Sequence, residues 1–390
     1  MSRSSSSPAP KVYGWCPGAL RPMMSGDGLV VRIRAPLGRL SQAQAKAIAG
    51  LSQQHGNGLI DLSARANLQL RGISDHSHAA VIAGLQDMGL LDQDAATESR
   101  RNILLSPFWQ PGDASPTIAR SLERALKAAE DLVLPGKFGF VVDAGPKPQL
   151  QSCAADIRIE RSGDKLLVVA DGAQTGCPME VETAAEAALD LARWFLDQGG
   201  ASMGRGRMRA LIARRAAPVS HSSPRSSSAP EPSPSMTAFG PLVALEFGQI
   251  TAETFARLAD HGPLRLTPWR MILVEGASEL ATLPGVILDA TDPRLQVRVC
   301  TGAPGCLQAL SPTRDLARDL APFVPKGQVL HISGCAKGCA HPGPAPLTLT
   351  ATAPDTFDLI HHGKASDQPS IKTLSASALR TAPKILTEGS

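Results

Sequence analysis

Four cysteines in the second half of this 390-residue chain stand at spacings that suit a shared inorganic centre. Cys300 and Cys306 bound the segment CTGAPGC, Cys335 and Cys339 bound CAKGC, and 28 residues separate the pairs. Gly302, Gly305 and Gly338 lie inside the two loops and Gly334 precedes Cys335. Glycine lets a backbone turn sharply and bring N–H groups against sulfur, as four thiolates around one iron–sulfur cube require. A [4Fe–4S] cluster is therefore the first reading. Zinc also accepts four thiolates, although its knuckles usually run C-x2-C to C-x4-C, and unlinked buried cysteines are the third reading of either pair taken alone. Cys16, Cys153 and Cys177 have no cysteine at ligand spacing and read as small buried hydrophobes.

A second group of candidates is basic. Arg65 and Arg71 lie in LSARANLQLRG (Leu62 to Gly72), Arg101 in SRRNILL (Ser99 to Leu105) and Lys137 in LPGKFGF (Leu134 to Phe140). Most lysines and arginines are solvated surface charges. These four are set among apolar strand residues, where a charge needs a partner. Guanidinium groups converging on a cleft would grip a ligand with several carboxylates, two N–H donors to each. RGRMR (Arg205 to Arg209) is a further basic cluster that reads equally well as a solvated helix end. His331 and His341 flank the second cysteine pair and read as packing or supporting residues before ligands. No G-x-G-x-x-G follows a strand and opens a helix, so a built-in NADH site is not supported.

These residues need elements to hold them. GRLSQAQA from Gly38, a helical stretch and IDLSARANLQLRG (Ile60 to Gly72) recur in order as GQITAETFA from Gly248, a short helix and LRLTPWRMILVEG (Leu264 to Gly276). Ser41 and Thr251 sit where helix N-caps belong. Gly58–Leu62, Asn67–Ile73, Leu264–Thr267 and Met271–Val274 read as strands by alternation. The shared order predicts an internal duplication with a shorter second copy. Each copy leads into a larger α/β segment. The first has a helix over Thr117–Val133, strands at Phe138–Val142, Asp156–Ile159 and Leu166–Ala170, and a helix over Thr183–Leu196. The second has strands at Leu295–Cys300, Val329–Ser333 and Leu347–Ala351, with a helix over Thr313–Leu320.

Residues 216–236, AAPVSHSSPRSSSAPEPSPSM, hold too little apolar surface to offset the entropy of ordering and read as a disordered linker. The resulting division is a disordered leader over 1–11, a half-domain over 12–92 and an α+β domain with the basic residues over 93–215. After the linker come a second half-domain over 237–290 and an α+β domain with the cysteines over 291–390. The net charge of +4 argues against a dedicated nucleic-acid binder. No run of 18 apolar residues could span a bilayer and the N-terminus shows no apolar signal-peptide core, so a cytoplasmic protein without disulfides is expected.

The C-x5-C and C-x3-C pairs behind a duplicated half-domain resemble the sulfite and nitrite reductase superfamily, in which such cysteines hold a [4Fe–4S] cluster beside sirohaem. The resemblance implies an α+β, internally duplicated architecture of ferredoxin-like half-domains plus two larger α+β domains. Arg65 matches the arginine of the T-x-R-x-x-x-Q-type strand, Arg101 that of R-N-[VI]-L, and Lys137 the first lysine of L-P-x-K-F-K. In the reductases these groups meet the anion or the sirohaem carboxylates. Where the second lysine of K-F-K stands in the reductases, this chain has Gly139.

A nearer resemblance within the superfamily is to the precorrin-3B synthases. It is carried by CPGALRP (Cys16 to Pro22), LPGKFGF, LTPWR (Leu266 to Arg270) and HISGCAKGCAHP (His331 to Pro342), and spans about residues 12–355. It implies a monooxygenase of aerobic cobalamin biosynthesis with a [4Fe–4S] cluster and a non-haem iron in place of sirohaem. Its substrates would be precorrin-3A and O2, with NADH-derived electrons arriving through a separate reductase or ferredoxin. The implied product, precorrin-3B, is hydroxylated at C20 and closed into a γ-lactone. Arg65, Arg71, Arg101 and Lys137 would bind the substrate. A sirohaem-dependent sulfite or nitrite reductase is the alternative, and an iron–sulfur electron carrier the second alternative.

Overall fold

The computed structural model describes residues 16–387, so the leader expected over 1–11 lies outside the described residues. One five-stranded and one six-stranded sheet come from the duplicated segments, and each borrows a strand from the other. Gln249–Thr251 of the second copy pairs antiparallel with Leu59–Leu62 of the first, while Arg39–Leu40 of the first pairs with Leu264–Leu266 of the second. The lent strands follow matching turns. Pro36–Gly38 and Glu246–Gly248 are both 3-10 turns whose central residues, Leu37 and Phe247, sit at φ 55° and 54°. A non-glycine residue at positive φ is uncommon, so its recurrence at the same point supports duplication strongly.

Ser41 and Thr251 cap the helices Gln42–His55 and Ala252–Ala259 as expected, accepting from the N–H groups of Gln44 and Thr254. The two helices pack together, and Ile48, Leu68, Leu70, Ile250, Phe255 and Leu264 join one continuous core across both copies. Neither copy could bury this surface alone.

The first larger segment forms a six-stranded mixed sheet. Ile103–Leu105, Phe140–Asp143 and Ile157–Ser162 are parallel, and Lys165–Ala170 and Thr175–Met179 continue it antiparallel. Helices Ala114–Ala128 and Ala184–Asp197 cover it. The first starts earlier than its periodicity suggests because Pro116 fits in a first turn, where no N–H is needed. Fully buried Leu122, Phe138 and Phe195 each stabilise this layer by roughly 2 kcal/mol.

The second larger segment sets Val297–Val299, Leu330–Ser333 and Ala345–Ala353 parallel, then adds Thr356–Gly363 and Ile371–Ser375 antiparallel. No helix among the described residues is long and apolar enough to cross a membrane.

The Ser/Pro stretch 216–236 is docked, contrary to the expected disordered linker. Its composition cannot build a core, but it is held by polar partners on the first larger segment. Arg225 Nε and Nη2 donate to the Glu160 carboxylate at 2.6 and 2.9 Å, and Glu160 is 1% exposed. Ser223–Pro224 adds to the edge strand Thr175–Met179, and Ala229 N–H donates to Pro148 O at 2.7 Å. Removing one partner of a buried pair strands the other charge, which costs about 3–5 kcal/mol. Arg225→Ala should therefore lower the urea midpoint and speed limited proteolysis within 216–231. Cleavage at the wild-type rate would show that the pair does not hold the strap.

Candidate functional site

Parallel pairing brings the cysteines together. Val297–Val299 and Leu330–Ser333 are neighbours running in one direction, so their carboxyl ends open on the same side, where crevices of parallel sheets form. Cys300 follows the first strand directly, and Cys335 follows the second by one residue. Cys300, Cys306, Cys335 and Cys339 all line one cleft of about 610 Å³ between the two halves. Gly334 N–H donates to Cys300 Sγ at 3.1 Å, the contact expected of the glycine before Cys335.

The donor set fits a polynuclear cluster. Burial pushes the Cys335 and Cys339 thiols up, and the neighbouring sulfurs Cys300 and Cys306 add to it. Crowded thiols that resist ionisation alone become good ligands when a cationic core neutralises them. No three His, Cys, Asp or Glu side chains gather at single-ion distance among the described residues. Four thiols at one cleft are the donor type that a [4Fe–4S] cluster takes.

The first half secures the Cys300–Cys306 loop through Arg71. Its guanidinium donates to Asp27 at 2.7 and 2.8 Å, to Asp61 at 3.1 Å and to Gly305 O at 2.6 Å. Ser25 Oγ reaches the same carbonyl at 2.7 Å. A Cβ on Gly26 would collide with Pro304 O, so the Asp27 turn can approach the loop only with glycine there. Arg71 thus braces the cysteine loop, with most of its N–H donors taken by the protein.

Arg101 is likewise committed within the protein. It pairs with both oxygens of Asp92 at 2.7 and 2.8 Å, with Glu123 at 3.1 Å, and donates to Arg34 O. Arg71 and Arg101, expected to grip substrate, are both engaged by internal carboxylates in this structure. Arg65 and Lys137 do come together, with Arg65 Nη2 donating to Lys137 O at 2.8 Å. Beside them, Cys16 is pulled below an ordinary thiol: burial raises it, but Arg32, Arg65 and Lys137 outweigh burial.

Sequence reasoning missed two cations that share the cleft with the cysteines. Arg270 and Arg314 both line the cleft. Burial, with Arg298 and Arg314 nearby, pushes Arg270 down to about 10, and its Nη1 is buried with no partner. Arg270 also holds φ 60°, a sparsely populated conformation for a non-glycine residue. Among the described residues Arg314 has only a long 3.7 Å pair to Asp61. The one available signal was the LTPWR motif itself. Apolar Phe247 and Trp269 complete this wall.

His331 is buried on its strand, and burial, with His341 and Arg270 near it, pushes it down to about 4. It is neutral at pH 7, and both ring nitrogens lack partners. Cys153, expected to be a bystander, lines the same cleft from the first half. Burial raises its thiol to about 11.

Residues 21–88 match the nitrite/sulfite reductase ferredoxin-like half domain. A precorrin-3B synthase from Sinorhizobium sp is 30% identical over 398 residues, spanning 92% of this chain and 85% of that protein. The chain belongs to the precorrin-3B synthase family. A ferredoxin–nitrite reductase from Leptolyngbya laminosa is 23% identical across 92% of this chain and 84% of its own length. One from Synechococcus elongatus is 31% identical, across only 32% of this chain and 26% of its own. The solved structure of Mycobacterium tuberculosis NirA protein covers 91% of this chain with 79% of its own, at TM-score 0.65 and 16% identity. That likeness establishes the fold: α+β, internally duplicated and sulfite/nitrite reductase-like.

Within this precorrin-3B synthase family member, Gly139 is more than a missing lysine. Its N–H donates to Asp156 Oδ2 at 3.0 Å, and a Cβ there would lie 2.7 Å from Asn102 Nδ2. Asn102 cannot yield freely, because the same nitrogen donates to Phe138 O at 2.8 Å. A side chain at this position would have to displace the Asn102 amide from that bond. Gly139→Ala should cost about 1–3 kcal/mol by overpacking, read as a lower urea midpoint. An unchanged midpoint would mean that Asn102 moves aside.

Proposed function

We propose that the protein is an oxygen-dependent monooxygenase that converts precorrin-3A to precorrin-3B. One atom of O2 goes to C20 of the macrocycle, and the other leaves as water with two electrons and two protons. The ring A acetate then closes a γ-lactone onto C1. The observation that carries this reading is a cleft whose cysteine wall also bears Arg270 and Arg314, neither of them fully paired inside the protein.

A precorrin is a broad, largely apolar ring with carboxylate arms. Phe247 and Trp269 offer apolar surface for the ring. Arg270 and Arg314 hold carboxylate arms, and their charge keeps an acetate ionised and hence nucleophilic for lactone closure. Cys300, Cys306, Cys335 and Cys339 would hold a [4Fe–4S] cluster, which supplies electrons one at a time. No group of three His, Cys, Asp or Glu side chains that could hold the separate non-haem iron occurs among the described residues. NADH-derived electrons would come through a separate reductase or ferredoxin, in a cytoplasmic setting.

The test is incubation of anaerobically purified, cluster-loaded protein with precorrin-3A, reductant and isotopically labelled O2. One labelled oxygen in a lactone product is expected. No lactone product, together with a sirohaem spectrum and nitrite or sulfite reduction, would instead favour the reductase reading, which the absence of a lysine at Gly139 disfavours.

A further inference from the structure

The docked Ser/Pro strap ends at the rim of the same cleft, on a carboxylate. Its foundation is the loop 144–155. Asp143 Oδ2 accepts from the N–H groups of Gln149 and Leu150 at 2.6 and 2.7 Å, and fully buried Arg158 donates to Leu150 O at 2.8 Å and to Cys153 O. The strap is fastened to that loop. Gln151 Nε2 donates to Ser226 O at 3.0 Å, and Ser228 Oγ and Ala229 N–H both reach Pro148 O. Two residues on, exposed Glu231 lines the cleft beside Ser152, Cys153 and Ala154.

Charge along the cleft is therefore uneven. The cations Arg270 and Arg314 stand close enough to Cys300 to feel its charge, whereas Glu231 is felt at Cys153. Asp61, the other carboxylate of the lining, is occupied by Arg71, Arg314 and Gln249. Among the described residues nothing pairs with Glu231 or hydrogen-bonds to its carboxylate.

We propose that Glu231 is a specificity-determining residue that selects which edge of the macrocycle enters the cleft. It repels carboxylate arms from the Cys153 side, while Arg270 and Arg314 draw arms to the Cys300 side. This rests on the cleft accepting a polycarboxylate macrocycle, as proposed above. A carboxylate arm brought beside Glu231 would meet a like charge at close range, a repulsion felt at low salt and screened at high salt.

The experiment compares wild type, Glu231→Gln and, as a control for net charge, Glu253→Gln on the exposed face of the helix Ala252–Ala259. Each is assayed with precorrin-3A for KM and for the fraction of consumed substrate recovered as lactone. Glu231→Gln should lower KM by about two- to fivefold at low salt, with the difference vanishing at high salt. It should also lower the lactone fraction, because the wrong edge now enters. A merely structural role for Glu231 would not tighten binding while spoiling the product. Identical KM and lactone fraction in Glu231→Gln and wild type, or equal effects in Glu253→Gln, would overturn the proposal. If wild type itself makes no lactone, the functional reading falls and takes Glu231 with it. If wild type makes lactone and Glu231→Gln matches it, only the role of Glu231 falls.

Discussion

Cys335→Ala is expected to lose its iron–sulfur cluster and essentially all turnover together. Cys335 sits where a parallel strand delivers it into the cleft beside Cys300, and its carbonyl is fixed by Ser333 Oγ at 2.7 Å. A cube with three thiolates has one iron open to solvent and is readily lost. Iron and sulfide content and the visible absorbance of anaerobically purified protein give the readout. Cys153→Ala is the control, because its thiol belongs to the opposite half and is held protonated by burial. Cluster content should survive that change. Bleaching in Cys153→Ala, or an intact cluster in Cys335→Ala, would show that the ligand set is wrong.

Arg71→Met should destabilise the protein by about 3–5 kcal/mol, because it leaves Asp27 and Asp61 without their shared cation in a half-closed site. The same change frees Gly305 O, so the loop between Cys300 and Cys306 loses its brace from the first half. Two readouts separate these effects: the urea midpoint of the cluster-free protein and the rate at which a chelator bleaches the loaded one. Both should worsen, and Arg71→Lys should recover part of the first only, since an ammonium cannot span both carboxylates and the carbonyl. A Met variant with wild-type midpoint and bleaching rate would remove Arg71 from the support of the loop.

Much of the local structure was legible from residue pattern. Alternation located Leu59–Leu62, Leu68–Ile73 and Met271–Val274, and hydroxyl caps located two helix starts, because these depend on neighbours a few residues apart. The cysteine pairs were legible for the same reason. The strap 216–236 was misread because its order comes from Glu160 and Pro148, which are some 65 to 80 residues distant in the chain. Arg71 and Arg101 looked like ligand grips because sequence shows the charge of a residue and not the carboxylate that folding sets against it. Arg270, Arg314 and Glu231 escaped notice for the converse reason, since an ordinary charged residue becomes special only when folding leaves it weakly paired or unpaired at a cleft.

By itself, the amino-acid sequence determined the duplicated α+β architecture, the four candidate ligands and the absence of a side chain at position 139. Spacing, periodicity and residue type are local quantities and survive without coordinates. Only the tertiary structure decided that the halves exchange strands, that Arg71 braces a loop 234 residues away, and which charges face the cleft. Those outcomes depend on long-range pairing, in which a buried charge such as Arg71 takes the partner the fold brings within about 3 Å.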